Sequence, residues 1–123
     1  MKMRTVILVG AMTLISACSR TAAFLAEAHA GQPIVRAIEA YQKQAGHYPS
    51  SLTNLVPVFL AETPDMADRS RHKFSGWDYR PITNDLGASY SLRYYMGRGG
   101  VEYSPPNWIG NDEGARTVIL KNE

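Results

Sequence analysis

The first 17 residues constrain the fold most, because they have the three parts of a cleavable export signal. Lys2 and Arg4 give a short positive region, residues 6–15 form an apolar run, and Ser16 and Ala17 are small residues of the kind that precede a cleavage site. The apolar run is shorter than the roughly 20 residues that a membrane-spanning helix needs. The sequence therefore predicts cleavage after Ala17, which leaves 106 of the 123 residues to fold.

The residue after the predicted cleavage site is Cys18, the only cysteine of the chain. The sequence Leu-Ile-Ser-Ala-Cys at residues 14–18 resembles the lipobox of bacterial lipoproteins, in which the cysteine is diacylated on sulfur and becomes the new N-terminus. The resemblance implies a covalent lipid on Cys18 and a membrane anchor. Because Ser19 follows, and not the aspartate that retains lipoproteins in the inner membrane, it also implies the periplasmic side of the outer membrane. The alternative is a chance or buried cysteine after an ordinary signal.

The charge of the chain changes when the predicted signal is removed. The full chain has 13 basic and 11 acidic residues, and loss of Lys2 and Arg4 leaves 11 of each. A neutral chain without a block of Lys or Arg lacks the basic stripe that nucleic-acid binding requires. We therefore expect no nucleic-acid partner, and the length predicts one small domain.

The clearest helical pattern begins at Pro33, a residue that suits the first helical position. Gly46 is placed to end this helix in a left-handed turn. The preceding residues are small and polar and indicate either a frayed helix or a flexible tether. The predicted divisions are a signal at residues 1–17, a lipidated tether at 18–32 and a globular domain at 33–123. The apolar stripe of the helix consists of Ile34, Val35, Ile38, Tyr41 and Ala45, at spacings near 3.6 residues.

The second half of the chain has the alternation of β-strands. Residues 89–96 alternate most regularly, with Tyr90 and Leu92 on one face and Arg93 and Tyr95 on the other. The pattern predicts a short capped helix after Ser51, then a loop at 61–75. It predicts strands at 77–80, 89–96, 101–103 and 117–120, with Asp78 and Arg80 alternating with Trp77 and Tyr79 in the first of them. It also predicts a turn at 97–100, strand ends at Pro81 and Pro105-Pro106, and a loop at 107–114. The expected fold is α+β, an amphipathic helix packed on a small antiparallel sheet.

An ordered series of short blocks resembles the head domain of type IV pilins and type II secretion pseudopilins. Its blocks are a helix containing Tyr41, the Gly-His-Tyr-Pro corner at 46–49, the Ser-Leu to Phe-Leu segment at 51–60, the Trp-x-Tyr at 77–79 and the Tyr-x-Leu at 90–92. The resemblance implies a pilin-like head and a link to a secretion or pilus system. One departure is large, since the apolar run stops at Cys18 and Ser16 stands where pilins have glutamate. The chain is therefore not expected to be a conventional filament subunit.

The sequence offers no constellation that supports catalysis. The three histidines are far apart, no cysteine can join them in a transition-metal site, and no nucleophile-elbow motif occurs. Major pseudopilins bind calcium in a late loop, which makes Asn111, Asp112 and Glu113 weak calcium candidates. So short a cluster lacks the ligand number that Ca²⁺ requires, and a solvated turn is the alternative. We expect no enzyme activity and no cofactor other than the lipid.

The candidate partner-binding residues are Arg93 and Tyr95, because alternation directs both to the outer face and both residue types are enriched in interface hot spots. Glu102 on the pairing strand is expected near Arg93. These features favour a non-enzymatic scaffold or interaction protein with a protein partner. A binding module for a small ligand or glycan is the alternative.

Overall fold

The computed structural model describes the backbone of residues 2–96, 99–112 and 114–121, and the side chains of these ranges from Thr21 onward. A single helix, α1, is followed by two short 3-10 helices and a five-stranded sheet. This confirms the predicted α+β fold of a helix packed against an antiparallel sheet. The elements are α1 Lys2–Ala45, the 3-10 helices Leu52–Leu55 and Arg69–Arg71, β1 Gly76–Asn84, β2 Gly87–Met96, β3 Gly99–Ser104, β4 Asn107–Asp112 and β5 Ala115–Lys121.

The five strands follow one another in space in the same order as in the sequence, and each is antiparallel to the next. One face of this sheet packs against α1. Because side chains alternate along a strand, the buried face is built from alternate residues of the first four strands. These are Trp77, Tyr79, Tyr90, Leu92, Val101, Tyr103 and Trp108.

The predicted loop at 107–114 is wrong, because residues 107–112 form β4. Asparagine, glycine and aspartate have low strand propensity, so no alternating pattern marks this segment. Pairing with β3 on one side and β5 on the other imposes the strand conformation, and Trp108 is fully buried. β1 likewise does not end at Pro81 as predicted, because it is an edge strand, where a residue without an N–H group is tolerated.

The predicted start of the helix at Pro33 is also wrong, because α1 is helical from Lys2 onward. Gly31 is buried where the helix approaches two indole rings. A Cβ atom at this position would lie 2.6 Å from Trp77 and 2.5 Å from Trp108. The glycine therefore serves close packing and not a helix start. Ala45, predicted on the apolar stripe, is exposed.

Helix α1 packs on the sheet through residues on both sides of Pro33. Ala28, Val35 and Ile38 are buried, and Phe24 packs at the margin of the core. Gln32 accepts a hydrogen bond of 3.4 Å from the indole N–H of Trp108. Within the described part of the chain, no helix is long and apolar enough to cross a membrane.

The junction between α1 and the sheet uses the predicted corner at residues 46–49. Gly46 has a φ of 81° and donates its N–H to the carbonyl oxygen of Gln42 at 2.8 Å, which ends the helix. The ring of Tyr48 lies 5.0 Å from that of Tyr90, and Pro49 is buried. Ser51 then caps the first 3-10 helix, as predicted.

Candidate interaction surface

The side of the sheet that faces away from α1, here called the outer face, carries most of the charged side chains of the strands. Its members alternate with the buried residues, so the strand period itself places them there. Charged residues occur on β1, β2, β3 and β5, and apolar residues on β1, β4 and β5. The residues of the outer face include Asp78, Arg80, Ile82, Ser89, Ser91, Arg93, Tyr95, Glu102, Ile109, Asn111, Arg116 and Val118.

Glu102 is the centre of an ionic cluster on this face. It lies directly opposite Arg93 in the β2–β3 register, and Arg93 donates a hydrogen bond of 3.2 Å to its Oε1. Arg116 donates to Oε2 at 3.4 Å. The predicted proximity of Arg93 and Glu102 is confirmed. The Glu102 side chain is only 16% exposed, whereas those of Arg93 and Arg116 are 42% and 54% exposed, so the guanidinium groups cover the carboxylate.

Tyr95 is held against Arg93, two residues earlier on β2. Nη1 of Arg93 donates to the Tyr95 hydroxyl oxygen at 3.4 Å, and the guanidinium carbon lies 5.8 Å from the ring centroid, within cation–π range. Burial alone would lower the pKa of Arg93, but its hydrogen bonds to Tyr95 and Glu102 and the charge of Glu102 raise the pKa overall. The side chain therefore stays cationic, and it presents the tyrosine in one orientation.

A small notch lies beside this pair. Gly100 stands in register between Tyr95 on β2 and Asn111 on β4, and it lines a space of about 80 Å³. Small-molecule sites commonly have volumes of about 300–1,000 Å³. The notch is therefore too small for a drug-sized ligand, although a single side chain of a partner would fit it.

A larger, open groove of about 420 Å³ lies on the other side of Arg93. Arg80 and Asp78 of β1 form an ion pair of 3.2 Å along one wall. Arg93 and Glu102 line the opposite wall. Ser89 and Ser91 lie between the two walls, and their small side chains leave the groove open. Its lining combines charged and polar residues with Ile82 and Tyr90, whereas most small-molecule pockets have a predominantly apolar lining.

The calcium candidates do not form one cluster within the described residues. Asn111 lines the notch on the outer face, whereas Asp112 lines a groove on the side of α1 together with Phe24. Successive residues of a strand point to opposite faces, which separates the two side chains. Glu113 lies outside the described residues. Among the side chains that are described, no three His, Cys, Asp or Glu residues are grouped as metal ligands would be.

Sequence reasoning identified Arg93, Tyr95 and Glu102 but missed Arg116 as a member of the outer face. The predicted alternation of Asp78 and Arg80 with Trp77 and Tyr79 agrees with the structure, in which the two aromatic residues are buried and Arg80 is exposed. Arg116 reaches Glu102 across β4, a strand that the sequence pattern did not reveal. The order of the strands in the sheet, with β4 between β3 and β5, would have placed Arg116 near Glu102.

Cys18 lies within α1, and its side chain is outside the described side chains. The predicted lipidation therefore stays a prediction. Comparisons of the chain with protein-family models, with curated proteins and with solved structures found no match.

Proposed function

We propose that this chain is a lipoprotein, lipidated at Cys18 and anchored on the periplasmic side of the outer membrane, that docks a protein partner through the outer face of its sheet. It acts without catalysis, as a scaffold associated with a type II secretion or type IV pilus system. The observation that carries the proposal is the Arg93–Tyr95 pair, held in place by Glu102 on a face that α1 leaves uncovered.

Two features support docking of a protein, and a third supports the lipid anchor. The inner face of the sheet is already packed against α1, so the outer face is the sheet surface available to a partner. Arginine and tyrosine are the residue types that most often dominate interface energies, and here they are ordered before binding, which lowers the entropy lost on association. The signal anatomy and the Leu-Ile-Ser-Ala-Cys sequence support the anchor.

The docking proposal is tested by capture of the partner from membranes with an Arg93→Ala, Tyr95→Ala double variant. We expect capture to fall by about ten-fold or more, since two hot-spot residues each contribute on the order of 1–2 kcal/mol. The matched control is Arg69→Ala, Phe74→Ala, which removes one exposed arginine and one exposed aromatic residue that precede β1 and belong to no strand of the sheet. Undiminished capture by a double variant that melts like the wild type would exclude the outer face.

The anchor is tested separately with Cys18→Ser. Loss of the acyl acceptor should abolish palmitate labelling and move the protein from the membrane to the soluble periplasmic fraction. Ser16→Thr, a change that keeps the cysteine, serves as the control and should remain labelled. Labelling that persists in Cys18→Ser would contradict the lipoprotein proposal.

A further inference from the structure

Half of β2 has a strand on one side only. β3 pairs with residues 92–96 of β2 and ends at Ser104, where Pro105 and Pro106 turn the chain toward β4. All of β1 pairs with β2, from Gly76 opposite Tyr95 to Asn84 opposite Gly87. Among the residues that the structure describes, none pairs with residues 87–91 on the side where β3 lies. The first half of β2 therefore forms a free edge inside the span of the sheet.

The register shows which backbone groups face this open side. Tyr90 stands opposite Pro81, which has no N–H to donate, so this pair is of the non-hydrogen-bonded kind. Tyr90 therefore directs its N–H and C=O groups away from β1. Hydrogen-bonding direction alternates along an antiparallel strand, so Ala88 directs its groups to the same side. Two donors and two acceptors are thus available to an added strand.

The other edges of the sheet carry features that discourage strand addition, whereas this one does not. Pro81 lies on the outer edge of β1, and Arg116 and Lys121 lie on β5. Proline and charged side chains are the common means by which proteins protect their edges. Residues 87–91 have the sequence Gly-Ala-Ser-Tyr-Ser, which contains no proline and no charged residue.

We propose that residues 87–91 of β2 accept an extended acidic segment of the partner as an added strand. This inference rests on the proposed function, since it names the form in which the partner binds. The segment would lie in line with β3 beyond Ser104, and its outward side chains would enter the open groove above Ser89 and Ser91. Main-chain hydrogen bonds supply affinity in such strand addition, and alternate side chains supply specificity.

The charges around the groove favour an acidic segment. Its carboxylates are recessed, since the Asp78 side chain is 30% exposed and that of Glu102 is less so. Its guanidinium groups stand outward, with the Arg80 side chain 65% exposed. An incoming strand therefore meets Arg80 and Arg93 before their carboxylate partners, which attracts negative and repels positive side chains.

The probe is a synthetic capped peptide of about eight alternating valine and glutamate residues, a typical strand length, titrated into the full-length protein in detergent. A valine–lysine peptide of equal length is the charge control. We expect the glutamate peptide to bind at least about ten-fold more tightly than the lysine peptide. We also expect it to slow the hydrogen exchange of the Ala88 and Tyr90 amides, while the amides of the 3-10 helix Arg69–Arg71 do not change.

Two N-methylated forms of the glutamate peptide separate strand addition from simple charge attraction. One form carries methyl groups on the first set of alternate amides and the other on the second set, so only one of them can still donate to β2. Strong binding by one form and weak binding by the other is the expected result. Equal binding by both forms, equal binding of the glutamate and lysine peptides, or no binding would overturn the inference.

Two further results distinguish this inference from the proposed function. Loss of partner capture in the Arg93→Ala, Tyr95→Ala variant, with no difference between the two N-methylated peptides, would keep the docking function and reject strand addition. A concentration-dependent dimer that buries the amides of Ala88 and Tyr90 would assign the edge to a second copy of the chain and would also overturn the inference.

Discussion

The hydroxyl group of Tyr79 donates a hydrogen bond of 2.7 Å to the backbone carbonyl oxygen of Pro49. This bond joins β1 to the corner that follows α1, across 30 residues of sequence, and both of its partners are buried. Burial raises the pKa of Tyr79 to about 12, with smaller contributions from Tyr48 and Tyr41. The bond therefore fixes the position of the helix end relative to the first strand.

Tyr79→Phe should lower the free energy of unfolding by about 1–2 kcal/mol, because it leaves the buried carbonyl of Pro49 without its donor. The measurement is urea unfolding followed by circular dichroism. The control is Tyr94→Phe, which removes the hydroxyl of a half-buried tyrosine on the same face of the sheet. It should cost about 0.5 kcal/mol or less. Equal effects of the two substitutions would mean that the bond to Pro49 does not stabilise the corner.

The buried tyrosines predict a loss of stability at alkaline pH. Burial raises the pKa values of Tyr79, Tyr90 and Tyr48, and for Tyr90 a hydrogen bond to Glu39 adds to the effect. A raised pKa means that the folded protein binds the phenolic proton more tightly than the unfolded chain does. The stabilisation is therefore complete below pH 10 and is lost as the pH rises through about 12.

Urea midpoints measured from neutral pH to pH 12 check this expectation. Tyr79→Phe should reduce the decline, because it removes one of the titrating hydroxyls. A midpoint that stays constant across pH 10 to 12 would show that these rings are accessible to water in the folded protein.

Gly31→Ala should destabilise the protein by about 1–3 kcal/mol. In an exposed helix interior the same change stabilises by about 0.5–1 kcal/mol, but here the added methyl group meets Trp77 and Trp108 at 2.6 Å and 2.5 Å. Overpacking costs of this size are usual in well-packed cores. The thermal melting temperature is the readout, and Ala30→Gly at the adjacent exposed position gives the propensity effect alone. A stabilised Gly31→Ala protein would mean that the helix can move away from the sheet.

How far the sequence predicts this structure depends on whether a signal is local. The alternation of residues 89–96 and the pairing of Arg93 with Glu102 were predictable, because a strand period and a short hairpin connection determine both. The packing role of Gly31 was not, since it depends on two tryptophans that are distant in sequence. β4 was missed because its residues have low strand propensity and its conformation is imposed by its neighbours.

Phe24→Ala tests how firmly the part of α1 before Pro33 is attached to the sheet. The Phe24 ring lies over Gly110, where an added Cβ atom would be 2.9 Å from it, and it packs at the margin of the core. The half-buried ring predicts a loss of about 1–2 kcal/mol, less than for a fully buried phenylalanine. The exposed change Ala23→Ser is the control in chemical denaturation. No difference between the two would mean that this segment behaves as the flexible tether.

Glu102→Gln tests whether the carboxylate of Glu102 is needed to hold the side chains of the outer face in place. The substitution keeps the size of the side chain but leaves Arg93 and Arg116 without the charge that they share. We expect a loss of about 1 kcal/mol at low salt, part of which returns at about 1 M salt, where screening acts over about 3 Å. Asp78→Asn, which neutralises the more exposed Asp78–Arg80 pair, is the control and should cost less.

The same Glu102→Gln substitution should also weaken partner capture, because the released guanidinium of Arg93 no longer holds the Tyr95 ring in one orientation. Capture that stays at the wild-type level while stability falls would separate the two roles and leave Glu102 as a purely structural residue.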